Sequence, residues 1–346
     1  MKSFTLSCLL LLFSLSAWSQ QNLSAFQDYD LFGQEEALEV ELRFNYKSFI
    51  RNKHKDEYQE ALFTVKLDEN TSISDTIRMK ARGEFRKQYC GFPPIKLNFK
   101  KADFQVPALA NLEKIKLVTH CRNTETFQQY LYKEYLTYKS LNLITPYSLR
   151  VRLVKLTYID QEERKQPFVR YGFLIEDIDD LAARVEAIEI EQEGVHPELT
   201  DRQQMTRVAL FEFMIGNTDW HIPSLHNVKL LQEKQFSENP KLFVIPYDFD
   251  YSGMVNTMYA IPDEKLNIKS VRDRIYMGYI RTPQELQAEI DLFLAQKEAT
   301  IALYQDFELL DPRQQNECVR YLEEFYSILE NPKRVRFNIL DFAKDP

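Results

Sequence analysis

From Leu38 to Phe44 the chain reads Leu-Glu-Val-Glu-Leu-Arg-Phe, apolar and charged in strict alternation. A period of two puts every apolar side chain on one face of an extended strand, so this segment is suited to form one side of a half-buried sheet. Ala61–Leu67, Thr76–Ala81, Ile95–Phe99 and Ile115–Val118 alternate in the same way, some less cleanly. Such runs predict half-buried antiparallel strands. Two more strands are predicted over Ser148–Tyr158 and Val169–Ile175, joined by the polar stretch Gln161–Gln166. Among these strands, Thr124 is a capping residue for a helix over Glu125–Leu141, with Phe127, Leu131, Tyr135 and Tyr138 on one face.

Near Glu176–Asp180 the period lengthens. Ile178–Arg184 reads as a short helix, and Asp201 opens one that runs through Ile215, with Val208, Leu210, Phe211 and Met214 apolar. Val228–Leu231 and Leu242–Ile245 read as a short hairpin. Thr282-Pro283 opens a helix toward Leu303, and Asp311-Pro312 opens another. The expectation is an α+β protein: a β-rich part over 20–176, then a mainly helical part over 177–346 that carries the polar loops.

Residues 1–19 have the three parts of a signal peptide. Lys2 is the basic end, Leu9–Leu12, Phe13 and Leu15 lie in the apolar run, and Ala17-Trp18-Ser19 supplies small residues before a cut at Gln20. The run is too short to span a bilayer, and no later stretch approaches the roughly 20 apolar residues a span needs. The expected mature chain is therefore periplasmic or extracellular, with no transmembrane segment. Against 52 acidic residues stand 44 basic ones, a formal charge of −8 that argues against general nucleic-acid binding. With 24 Phe and 19 Tyr the chain is not a disordered one. Glycine is scarce, 8 in all, and neither a GxGxxG nor a Walker loop occurs. Cys90, Cys121 and Cys318 follow the cut; Cys90–Cys121 is one of the pairings open to them, and one thiol stays unpaired within the chain.

The segments that carry chemistry are Gly216-Asn217-Thr218-Asp219-Trp220-His221, then Asn227, then Pro246-Tyr247-Asp248-Phe249-Asp250-Tyr251-Ser252-Gly253. A helix ends before an Asp, an Asn stands at the mouth of an apolar strand, and a second Asp closes the returning strand. Phosphoryl transfer from ATP needs such parts: a carboxylate to orient the attacking hydroxyl, and an amide oxygen with a second carboxylate to hold Mg²⁺. Asp219, Asn227 and Asp248 follow the chain order of the catalytic Asp, the Asn and the metal-binding Asp of protein kinases, with a longer first spacing. Asp250, two residues on, falls on the same side of an extended chain as Asp248 and is a candidate further metal ligand. Asn and Asp also serve as ordinary turn and cap residues, and that reading stays open. His221, His226 and Trp220 are weaker candidates, and the run Glu186, Glu189, Glu191, Glu193 reads as a solvated face.

These segments, with Arg82-Gly83, Pro93-Pro94-Ile95-Lys96-Leu97 and Tyr171-Gly172-Phe173-Leu174-Ile175-Glu176, resemble the spore-coat protein H (CotH) kinase-like family of secreted atypical kinases. The resemblance covers roughly half of the chain beyond residue 19. It implies a two-lobed protein-kinase-like fold, with ATP and Mg²⁺ or Mn²⁺ as cofactors. By the same resemblance Asp219 is the catalytic residue, and Asn227 and Asp248 are metal ligands. Lys96 meets phosphate, Glu176 lies near the adenine, and Lys116 is the alternative phosphate contact at the position ordinary kinases use. Arg82 is a further phosphate contact by the resemblance, although Arg82-Gly83 is followed here by Glu84-Phe85-Arg86 instead of the family's usual polar run. The expected acceptor is a hydroxyl on a secreted or cell-surface protein. Two other functions stay open: a non-catalytic surface or assembly module, and a metal-dependent hydrolase that uses the same carboxylates.

Overall fold

The computed structural model describes residues 26–234 and 240–345, so the expected signal peptide lies outside the described residues. The chain forms two compact units. One comprises the residues up to Asn123 together with Arg152–Ile175. Its strands are β1 (Leu38–Phe44), β2 (Gln59–Lys66), β3 (Ser72–Ala81), β4 (Ile95–Asn98), β5 (Lys114–Val118), β6 (Val151–Asp160) and β7 (Phe168–Ile175). They close into a barrel in the order β1-β2-β3-β4-β5-β7-β6. Three short helices accompany them: α1 (Tyr46–Arg51), α2 (Glu84–Tyr89) and α3 (Pro107–Ala110).

The closed barrel corrects the expectation of a two-lobed protein-kinase-like fold. Alternation places one face of each strand inward, and the strands share one core: Leu42, Phe63, Met79, Leu97, Leu117 and Leu156 are all within 2% of full burial. What the alternation does not specify is the partner on each edge. Strand β1 pairs antiparallel with β2, Val40 opposite Val65, and on its other edge parallel with β6, Val40 opposite Leu156. That parallel pairing removes both free edges of the sheet, which an open sheet would have to protect by other means.

A disulfide joins Cys90 to Cys121, and Cys318 is buried as a thiol. Among the described residues no helix is long and apolar enough to cross a membrane.

The second unit comprises Thr124–Val151 and the residues from Glu176 onward. It contains α4 (Glu125–Ile144), α5 (Ile178–Arg184), β8 (Ala187–Ile190), α6 (Arg202–Ile215), β9 (Val228–Glu233), β10 (Leu242–Pro246), α7 (Pro283–Ala295), α8 (Lys297–Gln305) and α9 (Pro312–Leu329). The expected hairpin is present and gains a third strand, in the order β10-β9-β8. That strand lies in the acidic run read above as a solvated face: Glu189 stands opposite Leu231, and its carboxylate meets Lys229 Nζ at 2.7 Å. The helix expected from Thr282 toward Leu303 breaks at Gln296 into α7 and α8. A capping box, Thr282 with Glu285, starts the first of them.

In the barrel unit, His120 is 3% exposed and stacks on Phe92 at 5.0 Å. Its Nδ1 has no hydrogen-bond partner among the described residues. Burial, with Arg170 and Lys165 nearby, pushes its pKa down to about 3. The unfolded chain therefore binds a proton below the ordinary histidine value of about 6.5 that the folded chain refuses, and stability is lost as the pH falls from there toward 3. Urea titrations of wild type and His120→Phe should show the variant gaining about 3 kcal/mol relative to wild type between pH 7 and pH 4. An equal loss in both proteins would remove His120 from the account.

Candidate functional site

The site begins where α6 ends. Asp201 caps its N-terminus by accepting from Gln204 N–H at 2.8 Å. At the other end Gly216 is left-handed (φ 65°), and its N–H reaches the Glu212 and Phe213 carbonyls. A Cβ there would lie 2.1 Å from Tyr321 Oη, so both the backbone conformation and the space require glycine. Asn217 N–H then donates to the Glu212 carbonyl at 2.8 Å, and Asn217 Oδ1 accepts Asp219 N–H at 3.1 Å.

Strands β9 and β10 supply the rest. Their register puts Val228 opposite Pro246, and Tyr247 N–H donates to the Asn227 carbonyl at 3.0 Å. Asn227 and Asp248 therefore leave the sheet at the same end, both in the left-handed region. Asn227 Nδ2 donates to the Asp219 carbonyl oxygen at 2.7 Å and to its Oδ2 at 3.0 Å. His226 Nε2 lies 2.8 Å from Asp219 Oδ1. The chain after β10 returns to the helix end: Gly253 N–H donates to Gly216 O at 3.0 Å and Met254 N–H to Ile215 O at 2.9 Å. Asp248 N–H donates to Tyr138 Oη at 2.9 Å, and Phe249, fully buried, packs on Tyr138 and Phe211. Three segments far apart in sequence thus meet at one hydrogen-bonded knot.

Asp250 is placed differently from the expectation. Residues 249–251 form a 3₁₀ turn after the left-handed Asp248, so the extended chain that would align the two carboxylates is absent. Asp250 is 5% exposed, its Oδ2 accepts from Tyr259 O–H at 2.8 Å and its carbonyl from Thr257 O–H at 3.0 Å. Among the described residues no three His, Cys, Asp or Glu side chains converge as a metal cage. The donor chemistry of Asn227 and Asp248 suits a hard cation all the same. Mg²⁺ is usually held by one or two carboxylates together with substrate phosphates, and only the oxygen of an amide ligates it. With Asn227 Nδ2 engaged, Oδ1 is the atom that amide would offer.

Lys96 and Lys116 lie in the barrel unit and are brought together there. In register, Lys80 stands opposite Lys96 and Lys96 opposite Lys116, a row across β3, β4 and β5. Adjacent strands are about 4.8 Å apart. Flanking Ile95, Leu97, Ile115 and Leu117 point into the core, so the lysines occupy the outer face. Lys80 is ion-paired with Asp56, whereas Lys96 has no ion-pair partner among the described residues. Like charges set directly opposite repel, and a bound anion would relieve them. Arg82 follows β3, its N–H donating to Pro94 O at 2.8 Å, and Gly83 (φ 79°) turns the chain into α2.

Glu176 is a clamp. Its side chain is fully buried; Oε1 accepts from Arg150 Nε (2.9 Å) and Arg184 Nε (3.2 Å), and Oε2 from Arg150 N–H (3.0 Å) and Arg184 Nη2 (3.0 Å). Its carboxylate is thereby committed to joining the end of α5 to the segment before β6. The residue that sequence reasoning missed is Glu212, fully buried directly below the Asp219 loop. Its one signal was a lone charge inside the apolar run Val208–Ile215.

No protein-family model matches the chain, and none of the characterised proteins compared with it does.

Replacing Glu176 by Ala leaves two arginines facing a buried gap. We expect a loss of about 3 kcal/mol in chemical denaturation, the scale on which removing one member of a buried ion pair acts. A loss below about 1 kcal/mol would mean that solvent already carries the two guanidinium groups.

Proposed function

We propose that the chain is an exported phosphotransferase that moves the γ-phosphoryl group of ATP to a hydroxyl on a secreted or cell-surface protein. The observation that supports this best is the convergence of Asp219, Asn227 and Asp248 at one end of the β9–β10 sheet. The resemblance to the spore-coat protein H kinase-like family supports the same reading through its motifs. The proposal rests on this site and not on a shared fold, because the closed barrel departs from what that resemblance implies.

In this reading Asp219 orients the acceptor hydroxyl and takes its proton as the oxygen bonds to the γ-phosphorus and the bond to the β–γ bridging oxygen breaks. Asn227 and Asp248 would hold Mg²⁺ or Mn²⁺, which supplies charge neutralisation on the phosphates when bound. Asn227 has a second task, fixing Asp219 through its amide, so the base and the metal ligand are aligned by one side chain. His226, on the other carboxylate oxygen, limits the rotation of Asp219 further. Lys96 and Lys116, side by side on the outer face of the barrel, are proposed as an anion-binding surface of that unit. The disulfide fits an oxidising compartment.

The test is ATP binding by thermal shift with Mg²⁺ or Mn²⁺, followed by transfer of labelled γ-phosphate. Wild type should show a metal-dependent rise in midpoint, Asp248→Ala should lose it, and Asp219→Asn should keep binding while transfer falls by at least about 10²-fold. No rise with either metal in a folded sample would sink the proposal. Release of phosphate without an acceptor would turn it toward the hydrolase reading.

A further inference from the structure

Glu212 and Asn217 are each 1% exposed. Neither carboxylate oxygen of Glu212 makes a hydrogen bond of ordinary geometry among the described residues, nor does Asn217 Nδ2, yet the two side chains are near enough for the Asn217 amide to act on the Glu212 carboxyl. An unmatched acceptor and an unmatched donor, both buried, are costly apart and cheap together. The two residues are already tied through the backbone, Asn217 N–H to Glu212 O, around the left-handed turn at Gly216. The far side of the same amide, Asn217 Oδ1, holds Asp219 N–H at 3.1 Å.

We propose that the Glu212 carboxyl accepts from Asn217 Nδ2 and so locks the amide that holds the Asp219 backbone, making Glu212 a positioning residue for Asp219. Burial pushes the Glu212 pKa up to about 8; the Asn217 amide acts against that rise and the Asp219 charge adds to it. Asp219 is the charged group that acts on Glu212; none from α4, α7, α9 or β10, the elements packed on α6, does so. At neutral pH the carboxyl is therefore protonated. It accepts from the amide without placing a second negative charge behind Asp219. Above about pH 8 the buried charge forms unpaired, repels Asp219 and loosens the loop.

The inference rests on the reading of Asp219 given above, and the test separates the two. The chain has two tryptophans, Trp18 and Trp220, so a Trp18→Phe background of the full chain leaves Trp220, next to Asp219 and 5% exposed, as the only indole reporter. Trp220 emission is followed from about pH 6 to about pH 10, with Glu212→Gln and Glu212→Leu alongside. The expected result is a transition near pH 8 in the parent that is absent in Glu212→Gln, the neutral isostere. Glu212→Leu should show red-shifted emission already at pH 7. In the transfer assay its kcat should fall about tenfold with little change in KM, while Glu212→Gln keeps both. An unchanged transition in Glu212→Gln, or parent-like emission in folded Glu212→Leu, would overturn the proposal. Should Glu212→Leu not fold, the comparison of parent with Glu212→Gln decides alone. Absence of transfer in the parent would count against the phosphotransferase reading and leave the fluorescence result standing on its own.

Discussion

The left-handed turn at Gly216 is the constraint on which the site depends. Its N–H ends α6 and its carbonyl accepts from Gly253, so one residue both stops a helix and recovers the chain that left β10. Any side chain there would meet Tyr321 Oη and would have to adopt a conformation that L-residues take at a cost. Because the turn is fixed, Asn217 and Asp219 emerge at a fixed point. Because Gly253 is pinned to it, Asp248 and Phe249 arrive from the other side. Phe249, buried against Tyr138 and Phe211, then sets how far the Asp248 turn can move.

The polar groups around this turn differ sharply in how they are satisfied. Asp219 is held through both oxygens by Asn227 and His226 and is still 39% exposed, which combines fixed orientation with access to a reactant. Asp250 is also held, but buried, and its bonds to Tyr259 and Thr257 stabilise the turn. Glu176 takes this furthest, with every carboxylate lone pair committed to arginines. Similar residue types therefore act as a presented carboxylate, a turn brace and a structural clamp, and only their surroundings distinguish them.

The barrel unit organises charge in the opposite sense. Its core is mainly apolar, and its outer face sets Lys80, Lys96 and Lys116 side by side. The core holds the strands in this register, so the repulsion along the row cannot be relieved by slipping one residue without exposing the apolar faces. His120 shows the complementary cost, an ionisable ring kept neutral among aromatic side chains.

Much of the local structure was legible in the sequence. Alternation, strict in β1 and looser in the next four runs, located the first barrel strands, Asp201 and Thr282 marked helix starts, and the order Asp219, Asn227, Asp248 singled out the segments that meet. Short-range physics decides those features, since side-chain period and capping chemistry depend on near neighbours. Barrel closure was not legible, because alternation states which face is buried and leaves open whether β1 takes β6 as its second partner. The same holds for β8, whose Glu189 looks solvated until Lys229 Nζ reaches its carboxylate, and for Asp250, whose direction is set by the 3₁₀ turn that Phe249 anchors. Neither Glu176 nor Glu212 shows its partners in the sequence; packing gave Glu176 two arginines and set Glu212 in the apolar interior. The sequence by itself thus determined the elements and the chemical groups available, while the tertiary structure alone decided which groups are paired, buried or presented, because pairing and burial depend on neighbours distant in the chain.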